Sequence, residues 1–381
     1  MYAIMADEAR DKRKEQLAIC VRFVEPDTSA VKEHFLGFCE LKDLSANSIT
    51  ESLEDCLTVN GLANVLCVAQ MYDGAAVMSG VIGGVQAKFQ KKHPEAIYVH
   101  CYAHELNLVL CYTCKAIPEA SDFFQTLENL YTFFSVSFTH HQKFIGLKET
   151  ELVQLSETRW SCQIRSITAL IRNFTAVVQC LKEEKSAIAT GLLIKLLRLS
   201  MRYCLFAFEL LLGTTEGFHK LLQKENLDLS TALEYKKDVC TSLRSLRTNA
   251  KSRDILQKAV SLFDTDTENP QTSRQIKKTK MMEDFVYEAR PTPRDHLSSE
   301  DDLRTKIFYP CLDRMLSELD HRFSSIKENL VKGIEACNPL SSSFLSEDIK
   351  ALAQHYIIDL HYEEVVVAKT SLNAKNRKMW Y

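Results

Sequence analysis

The sequence lacks a positive charge balance. Lys and Arg number 47 against 50 Asp and Glu, a formal charge of -3, so the average surface has no cationic field to hold a phosphate backbone and any nucleic-acid contact must be a local patch. It also lacks a run of the ~18 uncharged apolar residues that a bilayer span needs. Lys195, Arg198 and Arg202 interrupt its most hydrophobic segment, so no membrane role is expected. No charged-then-apolar leader with a small-residue cleavage site opens the chain, and no internal repeat runs through it. The cysteine count, 13, is odd, which leaves at least one thiol outside any disulfide framework. Several cysteines sit inside apolar stretches (Cys20 in LAICVRF, Cys67 in VLCVA, Cys204 in RYCLFAF), as reduced thiols acting as small hydrophobes do. A reducing compartment, cytosolic or nuclear, is the expectation. What is present is a folded composition: 46% hydrophobic and 25% charged residues exclude global disorder, and 381 residues suffice for at least one sizeable core.

The first half alternates between two periodicities. Tyr2 to Ala6, Gln16 to Val24 and His34 to Leu41 read as three strands in succession. Ser48 to Gly61 reads as an amphipathic helix, with Ser48 as N-cap and Gly61 as stop, and Asn64 to Met71 as a buried strand. Ala75 to Lys92 is expected as one helix, Ala96 to Val99 as a short strand, and Ala103 to Lys115 as a helix. The order is β-β-β-α-β-α-β-α, that of the ribonuclease H-like mixed sheet, in which the first and fourth strands are parallel neighbours. Beyond Ser121 strand signals vanish. Asp122–Ser135, Ser161–Lys182, Ala187–Leu212, Ser230–Phe263, Arg304–Glu335 and Ser346–Lys369 carry helical spacing, and a polar stretch near 264–303 reads as a loop. The expected organisation is α/β plus α: an α/β domain over 1–138 and a large all-helical insertion over 139–381.

Two acids stand where that order would bring them together. Asp7 follows the first strand and Asp73 the fourth, before Gly74. Parallel neighbours lie ~4.8 Å apart, so both carboxylates would reach one carboxyl edge, where α/β sheets place their chemistry. Two carboxylates with a third acid can hold a pair of Mg²⁺ ions ~3.5 to 4 Å apart for phosphoryl transfer. Each acid also has a plainer role: Asp73 as a turn residue or helix cap, and Asp7, like Glu8 and Asp11, as solvated charge.

Several segments carry a resemblance. QMYDGAAVMSGVIGGVQAKF at 70–89, IYVHCYAHELNLVL at 97–110, SETRWS at 156–161, the opening IMADEARDKRKEQLAICVRFV at 4–24 and LRTKIFYPCLDRMLSELDHRF at 303–323 are similar to the hAT-family transposases, within them the zinc-finger MYM-type protein 1-like group. The resemblance implies a ribonuclease H-like catalytic domain interrupted by a helical insertion, nuclear location, and an Asp, Asp, Glu triad binding Mg²⁺ or Mn²⁺ for DNA strand cleavage and transfer. Asp7 matches the first acid and Asp73 the second. Cys101 and His104 match a Cys-x-x-His element whose His contacts DNA, and Arg159 and Trp160 match a Thr-Arg-Trp element. The third acid, with its small-residue and Glu-Arg surroundings, has no counterpart before Tyr381; Glu363 and Glu364 stand in no matching context. The same missing segment carries the family's dimerisation, so a homodimer is expected only through it, and the N-terminal zinc module has no counterpart. The expectation is a DNA-associated protein with impaired catalysis, or a domesticated scaffold that binds proteins or DNA through its helical surface.

Other constellations carry less. Cys101, His104, Cys111 and Cys114 have zinc-like spacing, but a helix over 103–115 separates the outer pair by roughly 20 Å, too far for one ion. His140 and His141 read as an exposed helix end. Gly83 and Gly84 form no phosphate loop, since no Lys-Ser/Thr follows them.

Overall fold

A computed structural model describes residues 1–11, 14–155, 160–224, 227, 229–263, 299–323, 333–334, 336–337, 346–361, 363–367 and 370–371. The polar stretch expected as a loop lies outside them up to residue 298. Contacts gather the chain into two units: Met1–Leu108 with Lys220–Lys237 and Leu319–Tyr381, and Val109–His219 with Asp238–Glu318.

The first unit contains a mixed five-stranded sheet. Its strands are β1 (Tyr2–Asp11), β2 (Lys14–Val24), β3 (Val31–Glu40), β4 (Cys67–Tyr72) and β5 (Ile97–His100), in the spatial order β3-β2-β1-β4-β5. β1 to β3 form an antiparallel meander, whereas β4 and β5 run parallel to β1. β2 alternates cleanly: Leu17, Ile19 and Val21 are buried while their neighbours are less so. A bulge interrupts β2 and β3. Ile19 pairs with Gly37 and Cys20 with Phe35, so Leu36 is the extra residue, and Gly37 takes φ +141, which glycine alone adopts freely.

Helix α1 (Ala46–Val59) buries Ile49, Leu53, Cys56 and Leu57, the i, i+4, i+7, i+8 stripe of a packed helix, and these join Ile4, Leu17, Ile19, Val85 and Phe89 in one core. Its N-cap is Ser45 rather than the expected Ser48. The Ser45 hydroxyl accepts the Ser48 N–H at 3.3 Å, which is the reach from cap to third helical residue. The helix ends at Asn60 and Gly61 by a Schellman motif. Gly61, at φ +72, donates to Thr58 O, and Leu62 donates to Leu57 O at 2.8 Å.

The helix expected over 75–92 is two: α2 (Ala76–Ser79) and α3 (Val85–Lys92), separated by the glycine-flanked segment 80–84. Helix α4 (Tyr102–Ala116) follows β5.

The second unit is helical: α5 (Pro118–Val136), α6 (Phe138–Ile145), α7 (Trp160–Glu183), α8 (Ala187–Leu197), α9 (Leu199–Leu222), α10 (Leu229–Ser245), α11 (Asn249–Ser261) and α12 (Glu300–Leu303) lie wholly or partly in it, and a π-helical turn (Arg304–Phe308) leads into α13 (Tyr309–Arg322). Two expected helices are each broken. Arg198 adopts extended angles between α8 and α9, and Thr248, whose hydroxyl accepts the Lys251 N–H at 3.2 Å, caps a fresh start at α11. Arg202, one of the charges that interrupts the apolar segment, is buried and donates to the carbonyls of Ala259 and Phe263 at 2.9 and 2.6 Å, closing the end of α11. Among the described residues, no helix is long and apolar enough to cross a membrane. In the first unit, α14 (Ser346–His355) is the last helix whose bounds are described.

Candidate functional site

The register of β1 against β4 sets the site. Tyr2 stands opposite Cys67, an irregularity follows, and then Ala3, Ile4 and Met5 pair with Ala69, Gln70 and Met71. Two residues beyond the Met5 and Met71 pair are Asp7 and Asp73. Asp73 lies just past the end of β4, whereas Asp7, expected at the end of the first strand, lies inside β1, which runs on to Asp11 with Asp7 opposite Ala18 because β2 extends the pairing. Asp7 is accessible to solvent as a residue. Local packing nonetheless withdraws water from its carboxyl and pushes its pKa up; the nearby negative charge of Asp73 pushes the same way, while His104 pulls it down. Glu8 is pushed up too, by desolvation first and then by Asp73, Glu15 and Asp7, and its Oε1 is buried without a hydrogen-bond partner. Acidic groups therefore crowd this edge.

Asp73 also fills its plainer role. Its Oδ1 accepts the Ala75 N–H at 3.1 Å, tying the turn that leads into α2. Its own carbonyl accepts the Tyr98 hydroxyl of β5 at 3.1 Å. Cys101 N–H donates to Tyr72 O at 3.0 Å, carrying the β4 and β5 pairing up to the same edge. The Cys101 sulfur in turn receives the N–H groups of Ala103 and His104, so the cysteine of the Cys-x-x-His element caps α4; burial nonetheless raises its pKa. That cap sets His104 on the first turn of α4, electrostatically coupled to Asp7. A Cβ placed on Gly74 would lie 3.7 Å from His104 Cδ2 and 2.9 Å from Glu105 Oε1, so a side chain there would collide with the carboxylate. Glycine after Asp73 is what lets α4 sit this close.

Glu105, Tyr98 and His100 are the residues that sequence reasoning missed. Glu105 is buried; its Oε1 lies 3.4 Å from His100 Nδ1, and its Oε2 accepts from Arg322 Nη1 at 2.8 Å. Tyr98 OH is 3.2 Å from His100 Nδ1. Burial of His100 lowers its pKa, which Glu105 partly offsets. The available signal was a lone acid, Glu105, just ahead of the mostly apolar LNLVL run, a group that needs a partner once the helix is buried.

Of the other expected site residues, Arg159 lies outside the described residues, and Trp160 begins α7 with its side chain outside them. His104, Cys111 and Cys114 ride one unbroken helix, which holds Cys101 and Cys114 roughly 20 Å apart along its axis. Among the described residues, no three His, Cys, Asp or Glu side chains converge to hold a metal ion.

Comparison with known proteins reaches the segment that carries both acids. Residues 1–84 match the family model described as the ZMYM1/FAM200 RNase-like domain, a span that includes both Asp7 and Asp73. The chain is 25% identical over 198 residues to the human 52 kDa repressor of the inhibitor of the protein kinase, covering 47% of this chain and 25% of that protein. The match thus spans a quarter of the relative's length.

Proposed function

We propose that this chain is a transposase-derived, hAT-related protein associated with DNA in the nucleus, whose Asp7 and Asp73 edge descends from a metal-dependent centre for strand cleavage and transfer. The observation that carries this reading is that Asp7 and Asp73 each stand two residues past the Met5 and Met71 pair of two parallel neighbouring strands, at the carboxyl end of β4. The RNase-like match over 1–84 and a relative named as a repressor support it. On this reading 1–138 is the ribonuclease H-like part and 139–381 a helical insertion, with DNA as the partner.

The donor set suits a hard divalent cation. Asp7 and Asp73 would hold one Mg²⁺ or Mn²⁺, leaving room for water and phosphate oxygens, as Mg²⁺ sites usually do. The desolvation and repulsion at Asp7 are what a cation would relieve. When bound, the ion supplies Lewis-acid polarisation of a phosphoryl oxygen. His104 stands beside Asp7 to meet the DNA, and Tyr98 steadies the Asp73 backbone from β5. A pair of ions needs a further ligand, and none converges here among the described residues. Catalysis by this chain alone is accordingly weak, since removal of a group that acts only in the transition state costs rate directly. That same observation favours a second reading, a non-catalytic scaffold binding proteins or DNA through its helical surface.

Titration with Mn²⁺, followed by the loss of its free electron-spin signal, tests the site. Wild type is expected to bind one ion, and Asp7→Asn and Asp73→Asn to bind none. Equal weak binding by all three proteins would remove the metal centre. Metal-dependent nicking of plasmid DNA by wild type, absent in both variants, separates the enzyme from the scaffold.

A further inference from the structure

Beside the acidic edge stands an apolar tip that the core does not use. Val81 and Ile82 are 85% and 90% exposed, and Ile82 is the most exposed large hydrophobic side chain among the described residues. They occupy the segment between α2 and α3. β4 and β5 are parallel, so the crossover between them leaves from the carboxyl edge and α3 runs back along the sheet. The tip therefore lies on the side of Asp73. Ser79 Oγ, donating to Gly74 O at 3.2 Å, ties the start of the tip to the turn that follows Asp73.

The tip is held rather than loose. Gly84 N–H donates to Gly80 O at 3.0 Å, and a Cβ on Gly84 would lie 2.4 Å from Gly80 N and 2.6 Å from Gly80 O. Only glycine allows the two ends to touch. Gln86 is buried, and its Nε2 donates to the carbonyls of Ser79 and Gly80, both at 3.4 Å. Its own carbonyl accepts from the buried Gln70 Nε2 of β4 at 3.2 Å. Two large apolar side chains are thus presented to solvent on a closed ring anchored to the strand that leads into Asp73.

Past the acidic edge, the segment that carries the tip has charge of one sign. From Gly74 to His93 there is no acidic residue and there are three lysines, Lys88, Lys91 and Lys92, in a chain that is acidic as a whole. Lys92 is shared with Glu54 at 3.7 Å. The three span roughly 6 Å of helix rise and, at i, i+3 and i+4, share one face of α3. Two side chains are too few for a protein interface, which needs about 800 Å² per partner. They match the apolar wedges that enter single base steps of DNA.

We infer that Val81 and Ile82 form a wedge that inserts between bases of duplex DNA next to the Asp7 and Asp73 edge, with the lysines of α3 on the flanking phosphates. The inference rests on the DNA reading above and adds the device that opens the duplex there. The test uses the full chain and a duplex of about 30 base pairs carrying 2-aminopurine, which brightens on unstacking, with affinity read by anisotropy. Wild type is expected to bind and brighten the probe. Val81→Ser/Ile82→Ser is expected to lose the brightening and to bind about tenfold more weakly, with an unchanged melting temperature because both side chains are exposed. Should the double variant melt early, Ile82→Ser alone carries the comparison. Equal brightening by wild type and variant, or binding by wild type without brightening, would overturn the wedge and leave the DNA reading standing. Absence of any DNA binding by wild type overturns both.

Discussion

Glu105 Oε2 accepts a 2.8 Å hydrogen bond from Arg322 Nη1, an ion pair between residues 217 positions apart with both side chains largely withdrawn from water. Glu105 follows His104 directly, so this pair holds the first turn of α4, from which His104 acts electrostatically on Asp7. Removal of one partner leaves a buried charge uncompensated. Arg322→Ala is expected to cost about 3 kcal/mol in urea unfolding, and Arg322→Met with Glu105→Gln to recover much of that loss. If Arg322→Ala unfolds at the wild-type urea concentration, the pair contributes nothing to stability.

The acidic edge makes a pH prediction. Asp7 has a raised pKa in the folded protein, so the folded state binds this proton more tightly than the unfolded state does. Stability from this source is fully present below the ordinary carboxylate pKa of about 4 and is lost as the pH rises through the raised value. Asp7→Asn is expected to melt higher than wild type at pH 7 without metal and to flatten the decline above about pH 4. Thermal melts across pH 3.5 to 7 measure this; an Asp7→Asn protein that is less stable at pH 7 would contradict the repulsion.

The glycines of the tip predict a contrast between near neighbours. Gly84→Ala forces a Cβ to within 2.4 Å of backbone and is expected to destabilise by about 2 kcal/mol or more. Gly83→Ala meets nothing within 4 Å and should stay within about 0.5 kcal/mol of wild type. Paired thermal melts decide it, and equal melting temperatures for the two variants would show that the ring is not closed.

In the second unit, Asn173 is a latch. Buried in α7, it accepts from the N–H groups of Glu149 and Thr150 and donates to the carbonyls of Thr150 and Ala169. Asn173→Ala strands these backbone groups and is expected to cost about 2 kcal/mol. Hydrogen exchange should quicken first at the amides of Glu149 and Thr150; unchanged protection there would refute the latch.

The strands were legible because they rest on local rules. Alternation in QLAICVRFV marks a half-buried strand whatever it pairs with, and an Asp after a strand and before Gly marks a carboxyl end. The adjacency of β1 and β4 followed from strand order alone, whereas the end of β1 did not, since β1 runs past Asp7 to Asp11. What was not legible depends on contact between distant segments. The apolar periodicity of 187–212 continues across Arg198, so nothing local reveals that the chain turns there. Ala75 to Lys92, with Gly80, Gly83 and Gly84 inside it, was expected as one helix, whereas the close approach of Gly84 to Gly80 breaks it. Glu105 signalled that it needs a partner but not which one, because Arg322 lies 217 residues away.

The bulge at Leu36 and Gly37 bears on how copies of the protein behave when crowded together. β3 is the outermost strand of the meander, and its side turned from the core carries the exposed rings of Phe35 and Phe38, whose centroids are 5.0 Å apart. A flat strand with that surface would seed fibrils. The extra residue breaks the even row of amides that a recruited strand must match, and Lys32, Glu33 and His34 add charge and bulk along the same border. Concentrated solutions should therefore resist lateral growth of the sheet, and an edit that removed Leu36 would convert a protected rim into a polymerising one.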